Sequence, residues 1–121
     1  MDFDTLCKSI LDIDPQIRFA GICDHTGEIK HGGHADGIQN LLSADETKRS
    51  NLQALARWGL RNTLSPKIGY GKYSMTEYEK IKRITIPLKQ DHLLLVTTEI
   101  QADHVKIIQS ILKIIYYSGV A

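Results

Sequence analysis

Residues 17–34 read IRFAGICDHTGEIKHGGH, and this stretch decides the fold class. Two apolar runs, residues 17–23 and 28–30, flank the tetrapeptide Asp-His-Thr-Gly. In such a tetrapeptide Asp starts a turn, and Gly takes the positive φ that completes it. This is the pattern of a β-hairpin. Alternation along the first run leaves both of its faces largely apolar, so we expect that strand to lie centrally, with helices on both sides.

Helical patterns precede and follow the hairpin. Apolar residues spaced by three and four predict a helix over residues 2–14, which ends before a proline. The glycine-rich residues 32–37 predict a flexible connection. A capping box at Ser43 and Glu46 opens a second helix that should reach about residue 63. We expect its apolar face to contain the following residues: Leu52, Leu55, Ala56, Gly59 and Leu60.

The second half of the chain predicts three strands and a closing helix. Residues 68–75 and 81–88 are expected to form adjacent strands, and residues 93–99 form a short apolar run suited to a buried strand. Asp103 can cap a final helix whose apolar surface is wider than one narrow stripe. The order is α-β-β-α-β-β-β-α, which predicts an α+β fold with a five-stranded antiparallel sheet covered by helices.

Length and composition indicate an ordinary globular chain. We treat residues 1–121 as a single domain, because 121 residues is the commonest domain size. The formal net charge is +1, which argues against a protein dominated by binding to nucleic acid or to a membrane surface. The longest apolar-rich stretch is also far too short to span a membrane. The N-terminal sequence is acidic and unlike a signal peptide, so we expect a cytoplasmic location.

The hairpin sequence GICDHTGEI, residues 21–29, together with the order of elements, resembles the roadblock domains and the wider profilin-like and sensory groups. The segment YEKIKRITIP, residues 78–87, is also similar to a family of small archaeal proteins, which implies no particular function. The roadblock resemblance implies a dimeric adaptor for small GTPases or motors. The sensory resemblance implies a pocket for a small ligand. Neither resemblance implies a set of catalytic residues.

The best candidate for a metal site is formed by His31, His34 and Asp36, with His25 and Cys23 as further ligands across the hairpin. Imidazole and carboxylate groups suit zinc or another transition metal. The alternative is that these are simply polar residues of a glycine-rich loop.

A second candidate site is a basic patch of Lys80, Lys82 and Arg83, with tyrosines nearby, which would suit single-stranded nucleic acid. The alternative is a solvated strand face. Alternation places Lys80 and Lys82 on one face of the strand and Arg83 on the other. Because of this conflict, we rank nucleic-acid binding third among the functions.

Candidate interface residues lie on two helices. Trp58 is one position away from the predicted apolar face, so it is either an interface anchor or packing at the edge of the core. The wide apolar surface of the last helix predicts contacts through Ile107, Ile111 and Ile114. We expect Cys7 to be a reduced core thiol. Cys23, beside a histidine, is either an inert buried thiol or a nucleophile.

These observations rank three functions. The first is a non-enzymatic, homodimeric adaptor or regulatory module without a cofactor, and a small GTPase is a possible protein partner. The second is a small-molecule sensor, in which the sheet and the helix after Ser43 enclose a pocket reached past residues 32–37. The third is binding of single-stranded nucleic acid.

Overall fold

A computed structural model describes residues 2–120. The elements follow one another as α1 (Phe3–Leu11), β1 (Ile17–Cys23), β2 (Ile29–His34), α2 (Ala44–Asn62), α3 (Ser65–Ile68), β3 (Ser74–Glu77), β4 (Ile81–Leu88), β5 (His92–Glu99) and α4 (His104–Ser118). The predicted order is therefore confirmed, with the four-residue α3 as an addition.

The five strands form one antiparallel sheet in the order β2-β1-β5-β4-β3. Strand β1 is an interior strand, since Ile22 pairs with His31 on one side and with Leu94 on the other. Pro87 is the second-last residue of β4. Proline has no backbone N–H to donate to a neighbouring strand, and this lack costs little at the end of a strand. The expected interior position of the first strand is thus confirmed.

Helices cover the two faces of the sheet unequally. On one face, α1 and α4 enclose a cluster of sixteen buried residues that includes Leu6, Ile22 and Ile111. On the other face, α2 covers a cluster of only five: Cys23, Ala54, Trp58, Leu93 and Leu95. Because burying one large aliphatic side chain contributes about 1.5–3 kcal/mol, the first face supplies most of the hydrophobic stabilisation.

Helix α2 begins at the predicted capping box. The Ser43 hydroxyl accepts from the Glu46 N–H at 3.1 Å, and the Glu46 carboxylate accepts from the Ser43 N–H at 2.9 Å. These bonds satisfy amide groups that have no partner within the helix. The helix ends at Asn62, with Thr63 as its C-cap. Both predicted limits are confirmed.

Two predicted elements differ in the structure. Residues 32 and 33 belong to β2 instead of a flexible connection, since they pair with Gly21 and Ala20 of β1. A Cβ on Gly32 would lie 2.1 Å from the Ala20 carbonyl oxygen. Glycine is required there by close strand packing. Of the strand expected over residues 68–75, only the last two residues belong to a strand, β3. Pro66 fits the first turn of α3, and Gly69, at φ +85°, ends that helix.

The buried face of α2 also differs from the prediction. The residues that face the sheet are Asn51, Ala54 and Trp58. Most of the predicted apolar face is exposed, with 42% of Leu52 and 71% of Leu60 accessible to solvent. We call the exposed residues Leu52, Ala56, Gly59 and Leu60 the α2 stripe.

Candidate functional site

A large pocket lies between the first half of α2, residues 39–42 and the sheet. Its volume is about 580 Å³, which is within the usual range for small-molecule sites. Its apolar wall is formed by Phe19, Ile29, Leu41, Leu42, Ile81 and Leu95. The pocket is largely apolar and open on one side, and therefore suits a ligand with an apolar body.

Two arginines are among the polar residues that line this pocket, which also include Glu46, Glu79 and Lys80. Arg18 donates to the Glu99 carboxylate at 2.7 Å and to the Gln39 carbonyl oxygen at 3.2 Å, so its charge is compensated. Arg83 donates to neutral oxygens, among them the Ser50 hydroxyl and the Asn51 side-chain carbonyl. Burial lowers the pKa of Arg83, because a guanidinium charge is poorly solvated there.

Arg83 also lines a second, smaller cavity between α2 and the β3–β4 hairpin. We call this the arginine cleft, and its volume is about 30 Å³. Arg57 and Arg61 from α2 join Arg83 in its wall. Four residues with hydroxyl groups complete the polar lining: Ser74, Thr76, Tyr78 and Thr85.

Trp58 fixes the position of the arginine cleft relative to the sheet. Its indole N–H donates to the Thr85 hydroxyl at 2.9 Å, and the Arg61 guanidinium lies 4.8 Å from the centre of its ring. Only 4% of Trp58 is exposed. A cation over an indole face is attracted by the ring quadrupole, so the contact holds Arg61 in the wall of the cleft.

The structure does not bring the predicted metal ligands together. The His31 ring nitrogen lies 3.1 Å from the Asp4 carboxylate, on the α1 side of the sheet, whereas the His34 ring packs on Phe19, on the α2 side. Residues three apart on a strand point to opposite faces, which explains the separation. Within residues 2–120, no three His, Cys, Asp or Glu side chains are grouped so that they could hold a metal ion.

The predicted basic patch is divided in the same way. Lys82 is buried on the α4 side, where its ammonium donates to the Ala102 carbonyl at 2.8 Å and contacts His104 at 3.0 Å. Arg83 is on the α2 side, and Lys80 is exposed in the connection before β4. The grouping of Arg83 with Arg57 and Arg61 was missed. Its only sequence signal is the i, i+4 spacing of the two helical arginines.

The predicted interface residues are mostly inside the molecule. Trp58, Ile107 and Ile111 are at most 4% exposed, and Ile114 is half-buried against the larger cluster. Because Trp58, Ile107 and Ile111 pack inside their own chain, the prediction of surface contacts needs correction for these three, whereas contacts through Ile114 stay a prediction. Of the two readings of Trp58, packing in the core is the one observed.

Both cysteines are buried free thiols on opposite faces of the sheet. Burial raises the pKa of Cys7 to about 12 and that of Cys23 to about 11. A protonated thiol is a poor nucleophile, so the inert reading of Cys23 fits the structure better. Among the described residues, no helix combines the length and apolar character that crossing a bilayer requires.

Comparison with solved structures shows the same arrangement of elements elsewhere. A Roadblock/LC7 domain from Streptomyces avermitilis superimposes with a TM-score of 0.66 at 14% identity, covering 98% of each chain. MglB from Myxococcus xanthus superimposes with a TM-score of 0.67 at 12% identity. The match covers 97% of this chain and 94% of the MglB chain. This is a roadblock-like fold.

The same arrangement of elements is also found in a profilin. Profilin from Schizosaccharomyces pombe superimposes with a TM-score of 0.61 at 13% identity, covering 98% of this chain and 99% of its own. No protein-family model and no curated protein matches the sequence. The likeness therefore establishes the architecture alone.

Proposed function

We propose that the protein is a non-enzymatic regulatory or adaptor module that works as a homodimer, paired through the α2 stripe. The observation that carries this proposal is the second apolar face of α2. One face of the helix packs on the sheet through Ala54 and Trp58, yet Leu52 and Leu60 face solvent. Exposed apolar surface of this kind is typical of an interaction site.

The exposed apolar surface continues beyond the helix. Leu64 is 54% exposed and Ile68, at the end of α3, is 79% exposed. These residues follow Leu60 at intervals of four, so exposed apolar positions continue past the end of the α2 stripe. Burying such side chains against a partner would recover about 1.5–3 kcal/mol for each one that becomes fully covered.

The α2 stripe has the form that pairing with a second copy requires. Leu52 and Leu60 lie four residues to either side of Ala56. In an antiparallel pair of α2 helices with a twofold axis near Ala56, Leu52 would face Leu60 of the partner subunit, and the reverse contact follows by symmetry. The small residues Ala56 and Gly59 let the two helices approach closely.

The roadblock-like fold supports a regulatory or adaptor role. The resemblance implies a small GTPase as the protein partner of the dimer, and a cytoplasmic location would suit that partner. Nothing in this role needs a catalytic group, and the two buried thiols are poorly suited to supply one.

The test is the oligomeric state of the full chain, measured by sedimentation velocity over a range of concentrations. We expect a dimer for the wild type and a monomer for Leu60→Asp, because an aspartate at a buried interface is left without a partner. Tyr116→Asp is the matched control, since Tyr116 is 81% exposed on α4. A monomeric wild type at high concentration would refute the proposal. Dissociation in the Tyr116 variant alone would place the interface on α4.

The large pocket favours a second candidate, the small-molecule sensor. A cavity of about 580 Å³ beneath α2 is large enough for a metabolite-sized ligand. A thermal-shift screen against nucleotides and metabolites should find a stabilising ligand. Its effect should be lost in Leu42→Lys, at the pocket wall, and kept in Val105→Lys, at an exposed position on α4 outside the pocket and the α2 stripe. A screen without any hit would count against this candidate.

A further inference from the structure

We propose that the arginine cleft binds the phosphoryl group of a small organic phosphate. This function is separate from dimerisation and does not depend on it. The cleft is also distinct from the large pocket, although Arg83 and Tyr78 line both cavities.

The charge balance of the arginine cleft points to an anion. Three guanidinium groups line it, and its lining contains no aspartate or glutamate. Within residues 2–120, no carboxylate lies within 4.0 Å of Arg57, Arg61 or Arg83, whereas Arg18 has such a partner at 2.7 Å. The Arg57 charge adds to burial in lowering the pKa of Arg83, which indicates repulsion between the two groups. A bound anion would offset that repulsion.

The hydrogen-bonding groups of the arginine cleft are mainly donors. A guanidinium group only donates, and its planar fork matches the oxygens of a phosphate. The Thr85 hydroxyl already accepts from Trp58, so its own proton is directed to another acceptor. Ser74, Thr76 and Tyr78 add further O–H groups. A phosphate dianion has only acceptors to offer and carries more charge than a carboxylate, so it fits this set better.

The arginine cleft has room for the phosphoryl group of the ligand but not for its organic part, here called the body. About 30 Å³ is roughly two to three times the space that one water needs, which suits an oxyanion and excludes an organic group. The body would therefore extend past Tyr78 and Arg83 toward the large pocket, whose wall is mostly apolar. These features favour a phosphate monoester with an aromatic or aliphatic body.

The experiment is isothermal titration calorimetry of the full chain with three probes: phenyl phosphate, inorganic phosphate and benzoate. We expect saturable binding of phenyl phosphate, with weaker binding of inorganic phosphate and at least tenfold weaker binding of benzoate. Trp58 provides a second readout, since it is the only tryptophan of the chain and contacts both Thr85 and Arg61. Its fluorescence should change with the same affinity.

Variants locate the binding site. Arg57→Gln and Arg61→Gln should each weaken phenyl phosphate binding at least tenfold, because each removes charge-assisted hydrogen bonds. Both arginines are exposed, so the fold should persist, and the melting temperature checks this. Arg49→Gln, at an exposed position on the same helix, is the matched control and should change affinity less than twofold. The proposal fails if phenyl phosphate does not bind saturably, if benzoate or inorganic phosphate binds equally well, or if Arg49→Gln has the same effect.

Discussion

Asn51 is the residue that joins the hairpin, α2 and β4. It is 1% exposed, its side-chain N–H donates to the Gly27 carbonyl at 2.9 Å, and its oxygen accepts from Arg83 at 2.8 Å. A buried amide is tolerated only when its hydrogen bonds are made. Asn51 therefore connects the inward face of α2 to the hairpin, and it holds Arg83 between the two cavities.

Replacing Asn51 with alanine leaves the Gly27 carbonyl and one Arg83 N–H without partners in a buried place. We expect Asn51→Ala to lower the free energy of unfolding by about 2–3 kcal/mol. Asn62→Ala, at the exposed end of the same helix, should have little effect. Urea unfolding followed by Trp58 fluorescence measures both variants. Equal stability of the two would show that water replaces the Asn51 bonds without cost.

At the scale of elements, the sequence predicted those parts of the fold that local chemistry controls. The Asp-x-x-Gly turn, the Ser43–Glu46 capping box and the limits of β4 follow from neighbouring residues, and all are found. The buried face of α2 could not be predicted in this way. Leu52 and Leu60 suggested one face, but Asn51 turns inward because Gly27 and Arg83, distant in sequence, supply its partners.

The candidate site was harder to predict than the fold for a related reason. The arginine cleft combines Arg57 and Arg61 of α2 with Arg83 of β4, and only the packing of the helix on the sheet brings them together. Spacing along the chain grouped Arg83 with Lys80 and Lys82 instead. Alternation along β4 separates Lys82 from Arg83, so residues adjacent in sequence end on opposite faces.

The turn between β4 and β5 offers a test of backbone strain. Gln90 and Asp91 both have φ of +60°, a region that glycine adopts without steric cost. We expect Gln90→Gly to raise the free energy of unfolding by about 0.5–1 kcal/mol, because relief of the left-handed strain exceeds the added chain entropy. The matched control is Gln109→Gly on an exposed position of α4, which should lower it by about 1 kcal/mol. Thermal and urea unfolding measure both changes. Destabilisation by Gln90→Gly would contradict the strain argument.

At the scale of the whole molecule, the two buried thiols make stability sensitive to alkaline pH. Burial raises the pKa of Cys7 and of Cys23 above the ordinary value of 9.0. The unfolded chain therefore loses thiol protons near pH 9, while the folded chain keeps them until about pH 11. The contribution of the two thiols to the free energy of unfolding is therefore fully present below pH 9 and decreases above it. Urea unfolding at several pH values should show the decline, and it should be smaller in a Cys7→Ala, Cys23→Ala double variant. An equal decline in both proteins would assign the effect to other groups.

The helices on the two faces of the sheet should detach from it at different rates. Cys7 lies in the cluster of sixteen buried residues beneath α1 and α4, and Cys23 lies in the cluster of five beneath α2. Because the smaller cluster holds α2 with less buried apolar surface, local detachment of α2 should cost less free energy than global unfolding. Cys23 should then be modified faster than Cys7 by a thiol reagent under native conditions.

Pulse labelling of the wild type, followed by mass spectrometry of its peptides, measures both rates in one sample. A low protein concentration limits dimerisation through the α2 stripe, which would slow the detachment of α2. In high urea the two thiols should react at similar rates, and this serves as the control for intrinsic reactivity. Equal labelling of both thiols at the rate of global unfolding would show that the two faces of the sheet open as one unit. Faster labelling of Cys7 would show that the face covered by α1 and α4 opens first, and would contradict the prediction.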